Sequence, residues 1–204
     1  MPGKVNALQH GTLGPTCVHL CVDMQRLFAE DTAWRTPWMA RVSPVAAEIT
    51  ATHPDRTVFT RFIPAQHPKE ASGAWRKYYE RWSDMTVEKL GREMLSLVPE
   101  LARFVPPASI FDKRVYSPWH GGKLHAHLRG LAADTLIISG GETDVCVLAT
   151  VLGALDYGYR VVIATDALCS SSDETHDALL KLYEMRFSEQ VEAVTTEVIL
   201  SNWA

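Results

Sequence analysis

The sequence predicts an α/β protein, a single three-layer α/β/α domain over residues 1–204 built on a six-stranded, mainly parallel sheet. Three observations carry this. Six short apolar runs alternate with segments of helical character, the order that sets parallel strands side by side with helices between them. Several of those runs are unbroken Val/Ile/Leu stretches, as strands covered on both faces require. The length of 204 residues suits one domain that buries about 70% of its unfolded surface and needs neither disulfides nor a structural metal.

Taken in order, Met1–Pro15 is polar, carries Gly3, Gly11, Gly14 and Pro15, and reads as an irregular arm. It lacks the charged-then-apolar plan of a secretory signal. Thr16–Val22 (TCVHLCV) is a buried strand that ends at Asp23. Pro44–Thr52 reads as a short helix and Arg56–Phe62 (RTVFTRF) as a second strand. Glu88–Phe104 contains helical segments broken or ended near Pro99, and Ser109–Lys113 is a third strand. Lys123–Leu131 is helical, and Thr135–Ser139 (TLIIS) is a fourth strand stopped by Gly140-Gly141. Asp144–Tyr157 is a helix ended by Gly158, Arg160–Thr165 a fifth strand, and Val191–Val194 a sixth. Between the last two, Ser171–Arg186 is a helix opening with Ser171 and Glu174 at capping-box spacing.

One stretch resists this scheme. Pro64–Val87 sets Trp75, Tyr78, Tyr79 and Trp82 among charged residues and is longer than an ordinary connection. It reads as a lid or subunit-interface insertion, or else as a surface helix that packs its aromatics inward.

Composition excludes several classes. The apolar share of 47% and charged share of 22% are those of a globular protein. A net charge of −4 gives no electrostatic case for nucleic acid or an anionic membrane as partner. No apolar run approaches the roughly 18–20 residues of a membrane span. Cys17 and Cys21, four apart in one strand, stand roughly 13 Å apart, too far for a disulfide. A reducing compartment, the cytoplasm, is the expected location.

In open α/β sheets, sites form outside the carboxyl ends of the strands. Asp23 ends the first strand, Lys113 ends the third, and Cys146 follows the fourth by a Gly-Gly turn. Cys146 falls in the first turn of a helix, whose free N–H groups and partial positive charge favour a thiolate and can hold an oxyanion. Asp23 can take the thiol proton and pass it to a leaving amine. Lys113 can hold the Asp23 carboxylate and lower the thiol pKa. Each has a plainer reading as well: a small buried cysteine, an aspartate capping the next helix, a strand-end lysine in water. Cys17, Cys21 and Cys169 read as core residues, and His19 as a satisfied core histidine. His125 and His127, two apart on a helix, face different ways and make poor joint metal ligands.

Three blocks carry a family likeness: Cys21-Val22-Asp23-Met24-Gln25, Asp112-Lys113-Arg114-Val115-Tyr116-Ser117, and Gly140–Val147 continuing into Thr150, Ala154 and Gly158-Tyr159. With Val161–Ser172 (VVIATDALCSSS), they span about Thr16 to Val198. In order, spacing and residue type the chain resembles the isochorismatase-like cysteine hydrolases, which include nicotinamidases, N-carbamoylsarcosine amidases and ureidoacrylate amidohydrolases. The resemblance implies a six-stranded parallel sheet, Cys146 as nucleophile, Asp23 as base, Lys113 as third member, and an oxyanion hole from the backbone N–H groups of Glu142 and Cys146. It also implies a cis peptide between Gly141 and Glu142, and a homo-oligomer, dimer or tetramer.

Two departures shape the expectation. Nicotinamidases carry Asp-x-His after the second strand as metal ligands; here the stretch is Thr60-Arg61-Phe62-Ile63-Pro64, with His67 alone nearby. The expectation is therefore a hydrolase with no metal and no cofactor. Glu142 stands where relatives often have a small residue, and its side chain reaches either the substrate or a subunit contact. True isochorismatases lack the cysteine, so Cys146 points to an amidohydrolase acting on a small amide, ureido or carbamoyl compound. Arg61, Trp75, Tyr79 and Trp119 are the expected pocket walls, with Arg61 able to pair with a substrate carboxylate. The rival is a protein of the same fold that uses its thiol for redox sensing or assembly.

Overall fold

The computed structural model describes residues 7–204. Its first half runs β1 (Cys17–Val22), α1 (Arg26–Ala29), α2 (Met39–Thr52), β2 (Thr57–Phe62), α3 (Gly73–Arg81), α4 (Val87–Leu90), α5 (Pro99–Ala102) and β3 (Ser109–Lys113). The second half runs α6 (Lys123–Gly130), β4 (Thr135–Gly141), α7 (Leu148–Asp156), β5 (Arg160–Cys169), α8 (Asp173–Arg186), β6 (Val191–Val194) and α9 (Thr196–Asn202). Residues 1–6 of the expected N-terminal arm lie outside the described residues. The remainder is irregular but tied down: the Gln9 and His10 N–H groups donate to Glu192, and Arg160 donates to the Gly11 carbonyl.

The six strands form one sheet in the order β3-β2-β1-β4-β5-β6, and every neighbouring pair is parallel. The chain winds outward from β1 on one side and from β4 on the other. The order in which the chain winds across the sheet therefore reverses between β1 and β4, and a crevice opens there beyond their carboxyl ends.

Side-chain alternation explains why both faces are covered. Val18, Leu20 and Val22 of β1 share one face with Leu136, Ile138, Val161 and Ile163. That face is closed by Leu124 and Leu128 of α6, Val151 and Ala154 of α7, and Tyr183 of α8. Cys17 and Ile137 point the other way, onto Ile49 of α2 and Ile199 of α9. Cys21 and Phe59 share that second face with Met39, Val42 and Ala46 of α2 and Leu101 of α5. A strand buried on both sides has no room for polar residues unless they are paired. His19 meets that condition: its Nε2 lies 2.7 Å from Ser139 Oγ and its Nδ1 3.3 Å from Thr50 Oγ1.

Several boundaries differ from expectation. Helix α2 begins at Met39, before Pro44, because Met39, Val42 and Ser43 already lie on its buried face. Pro99 opens α5 instead of ending a helix, with its missing N–H at a position that has no intrahelical partner anyway. Strand β4 continues through Gly140 and Gly141. Gly140 has φ +111°, and a Cβ there would lie 2.1 Å from the Val22 carbonyl oxygen, so only glycine lets β4 pass this close to β1. Strand β5 is longer than expected, because after a register shift Leu168 and Cys169 pair with those two glycines. The cap of α8 is Ser172, whose side chain accepts from the Thr175 N–H, one residue later than the capping-box spacing placed it.

Candidate active site

Asp23 leaves β1 with φ +51°, a left-handed turn that aims its carboxylate back across the strand ends. It does not cap a helix: α1 begins three residues later, with no side-chain cap. Instead Oδ1 accepts a 2.6 Å hydrogen bond from the Thr60 hydroxyl of β2, and Oδ2 lies 2.6 Å from Lys113 Nζ. Lys113, last residue of β3, is 5% exposed and so is no surface lysine. Its ammonium also donates to Cys146 Sγ at 3.4 Å.

Three side chains from three strand ends thus meet in a place almost closed to water. Paired charges in such a place need every proton and lone pair engaged. Thr60 and the Val115 carbonyl, 3.3 Å from Lys113 Nζ, supply two of those contacts, while Asp23 Oδ2 is met by the Lys113 charge alone. Lys113 also sits 5.2 Å from the centroid of the Phe62 ring. Burial opposes its charge, but Asp23 and then Cys146 outweigh that, holding the lysine pKa above its usual value and the group protonated.

Cys146 is carried by a single π-type turn, Thr143–Val147, that leads into α7. The turn forms because the Val145 and Val147 N–H groups both donate to the Glu142 carbonyl. The Gly141–Glu142 peptide before it is cis, as the family resemblance implied. Side chains clamp the turn from behind. Thr143 bonds the Cys169 carbonyl and His176, Asp144 accepts from Ser170, and Thr150 donates to the Cys146 carbonyl.

The thiol differs from expectation in one respect. Burial, and next the Asp23 charge, push its pKa well above the ordinary thiol value, and Lys113 only partly offsets them. A helix start and a nearby ammonium would favour a thiolate, but a 6% exposed sulfur beside a carboxylate pays more to ionise than they return. The resting group is a neutral thiol, with Lys113 donating to its sulfur.

A cavity of about 390 Å³ opens beside Cys146. Its walls are Phe28, Trp34, Phe62, Tyr78, Trp82 and Tyr116, with Ala33, Val145, Ser171 and Glu142 between them. None of the four residues expected to line it does so. Arg61 stands opposite Asp112 in the β2–β3 register and binds it through two contacts, 2.7 and 2.9 Å. Trp75 and Tyr79 form the next layer out, Trp75 stacking near Phe62, Tyr79 and Tyr116. Trp119 is buried against α7, its Nε1 donating to the Thr150 carbonyl.

Sequence reasoning placed the aromatics of Pro64–Val87 in the right region but chose the wrong stripe. Trp75/Tyr79 and Tyr78/Trp82 are both i,i+4 pairs, so periodicity alone cannot say which faces the cavity. Phe28 of α1 and Trp34 beyond it, both in the connection that follows β1, could have been found from the rule that sites form outside the strand ends. Glu142, left open by the sequence, faces the cavity. At the end of β2, Thr60 turns to Asp23 and Phe62 to the cavity, so the residues there do not fit a metal-ligand set. Among the described residues, no three His, Cys, Asp or Glu side chains gather as a metal site.

Comparison with known proteins places this arrangement in context. A family model described as the isochorismatase domain matches residues 17–197. An uncharacterized isochorismatase family protein of Bacillus subtilis (strain 168), YwoC, is 32% identical over 105 residues, 48% of this chain and 54% of that protein. The match thus spans about half of that relative's length. The crystal structure of a cysteine hydrolase from Pseudomonas syringae pv. phaseolicola 1448A superposes with a TM-score of 0.77 at 21% identity, covering 96% of this chain and all of that one. N-carbamoylsarcosine amidase from Thermoplasma acidophilum superposes at 0.70 with 19% identity, over 89% and 96% of the two chains.

Proposed function

The chain belongs to the isochorismatase family, and from that premise we propose that it is a cysteine hydrolase cleaving a C–N bond of a small amide, ureido or carbamoyl compound. The observation that carries this reading is Lys113, held 2.6 Å from Asp23 and 3.4 Å from Cys146, which lines the cavity. A buried carboxylate, ammonium and thiol in mutual contact are costly to maintain for stability alone. The relation to an N-carbamoylsarcosine amidase fold supports the amide class.

In this reading Asp23 takes the thiol proton as Cys146 Sγ attacks the substrate carbonyl carbon. The raised thiol pKa makes that transfer simultaneous with attack, so no free thiolate builds up. The oxyanion is assigned to the backbone N–H groups of Glu142 and Cys146. Asp23 returns the proton to the departing ammonia or amine, leaving a thioester. Water, deprotonated by Asp23, then releases the acid and restores the thiol. Lys113 holds the carboxylate in place and balances its charge throughout.

The test is ammonia release from a panel of small amides, ureides and carbamoyl compounds, with intact-protein mass spectrometry for the acyl adduct. Cys146→Ala is expected to lose at least about a thousandfold in turnover and all adduct; retained turnover would sink the mechanism. Redox sensing is disfavoured, for sensor thiols are exposed and of low pKa, whereas Cys146 is buried and its pKa raised. The reading extends to a cytoplasmic homo-oligomer, a dimer or tetramer. All four cysteines are free, no helix among the described residues is long and apolar enough to cross a membrane, and Leu182 and Met185 stand exposed on α8. Light scattering checks the assembly.

A further inference from the structure

The cavity beside Cys146 has an uneven charge. Its lining contains no ammonium, guanidinium or imidazole, and Lys113, the nearest cation, is already committed to Asp23. The single carboxyl of the lining is Glu142. Glu142 is half-buried in the lining, and burial raises its carboxyl pKa above the usual value, an effect that neighbouring Ser171 partly offsets. Around it stand aromatic faces. Tyr78 and Tyr116 share the lining with Glu142 and Cys146. The Trp34 ring is tilted against Tyr78 with centroids 5.6 Å apart, and Trp82 completes the wall.

A carboxylate among electron-rich ring faces is the arrangement that binds an organic cation, each ring adding to the attraction once water is excluded. The same arrangement repels a carboxylate substrate, because no cation in the cavity can pair with it and Glu142 would face it. Arg61, the guanidinium expected to pair with a substrate carboxylate, is bound to Asp112 and lines no part of the cavity. At about 390 Å³ the cavity suits a small ligand.

We propose that the substrate carries a protonated nitrogen (ammonium, amidinium or guanidinium) that seats on Glu142 among Trp34, Tyr78, Trp82 and Tyr116, with its amide or ureido carbonyl at Cys146. This deepens the hydrolase reading and rests on it for the role of Cys146. The cation binds; it takes no part in the bond changes, in which one water is consumed and one ammonia or amine leaves.

The experiment compares three analogues of one shape: 4-(aminomethyl)benzamide, a cation, 4-methylbenzamide, neutral, and 4-carbamoylbenzoate, an anion. Binding is read by calorimetry on the Cys146→Ala variant, where no turnover intervenes, and by competition on the unmodified protein. The cation is expected to bind at least tenfold tighter than the neutral compound, the anion weakest of all, and Glu142→Gln to erase the preference. Glu142→Ala, judged for folding by its thermal transition, repeats the comparison should the first variant misfold. A cation that binds no tighter than its neutral analogue, including one that does not bind, overturns the proposal, as does a preference that survives both Glu142 variants. Turnover of the same compounds by the unmodified protein is a separate readout. Cation preference without turnover would overturn the hydrolase reading alone; turnover without cation preference would overturn the inference alone.

Discussion

Lys113 Nζ lies 2.6 Å from Asp23 Oδ2 where neither side chain meets water, at 3% and 0% side-chain exposure. Removing one partner of such a pair leaves an uncompensated buried charge. Lys113→Met is therefore expected to destabilise the protein by about 3–5 kcal/mol, whereas Asp23→Asn with Lys113→Met recovers much of that loss. Urea unfolding of the three proteins measures it. If the double variant is no more stable than the single one, Asp23 is not the charge that Lys113 neutralises.

The thiol state of Cys146 is the second expectation. Because burial and Asp23 hold its pKa well above the ordinary value, thiolate absorbance near 240 nm should be missing at pH 7 and should not develop through the range where a free cysteine titrates. The difference spectrum between the protein and Cys146→Ser isolates this residue. A thiolate already present at neutral pH would mean that Lys113 and the turn N–H groups outweigh desolvation, and attack would then begin from a preformed ion.

How much of this was legible beforehand follows from the range of the forces involved. The strands were, because a doubly covered sheet writes itself as apolar runs, and Ser109–Lys113 and Val191–Val194 fall where the pattern put them. The placement of Asp23, Lys113 and Cys146 at strand ends was legible for the same reason. The pocket walls were not. Whether α3 turns Tyr78 or Tyr79 inward depends on packing against Trp34 and Phe62, which lie far away in sequence. The helix α9 (Thr196–Asn202) was missed altogether; much of what orders it is tertiary, with Thr196 bonded to Asp166 and Ile199 buried against β5. The shift of the thiol pKa was equally out of reach, since desolvation is a property of the closed fold.

Gly153 of α7 offers a test of packing outside the site. A Cβ there would stand 2.1 Å from Cδ1 of Trp119, and that ring cannot swing aside. It is held by its bond to the Thr150 carbonyl and by Tyr157 and Tyr159 on either side. Gly153→Ala gains helix propensity but overpacks, so a net loss of about 1–3 kcal/mol is expected. Chemical denaturation decides it; an unchanged or raised stability would show that Trp119 can move.

The last prediction concerns acid stability and rests on His19. The Thr50 hydroxyl gives its one hydrogen to the Ala46 carbonyl, so it accepts from His19 Nδ1–H, while Nε2 accepts from Ser139. Both ring nitrogens are thus satisfied in the neutral form, and burial lowers the pKa from 6.5 to about 3. No carboxylate touches the ring to rescue a charge. The unfolded chain binds a proton at this residue near pH 6.5 and the folded one does not until far lower, so stability is full above pH 6.5. It then falls by about 1.4 kcal/mol per pH unit as the pH drops towards 3. His19→Gln keeps a donor and an acceptor for Thr50 and Ser139 but cannot protonate. The slope of unfolding free energy between pH 4.5 and 6.5, measured for both proteins, should be shallower in the variant by about one proton's worth. Equal slopes would mean that some other buried group, not His19, sets the acid limit.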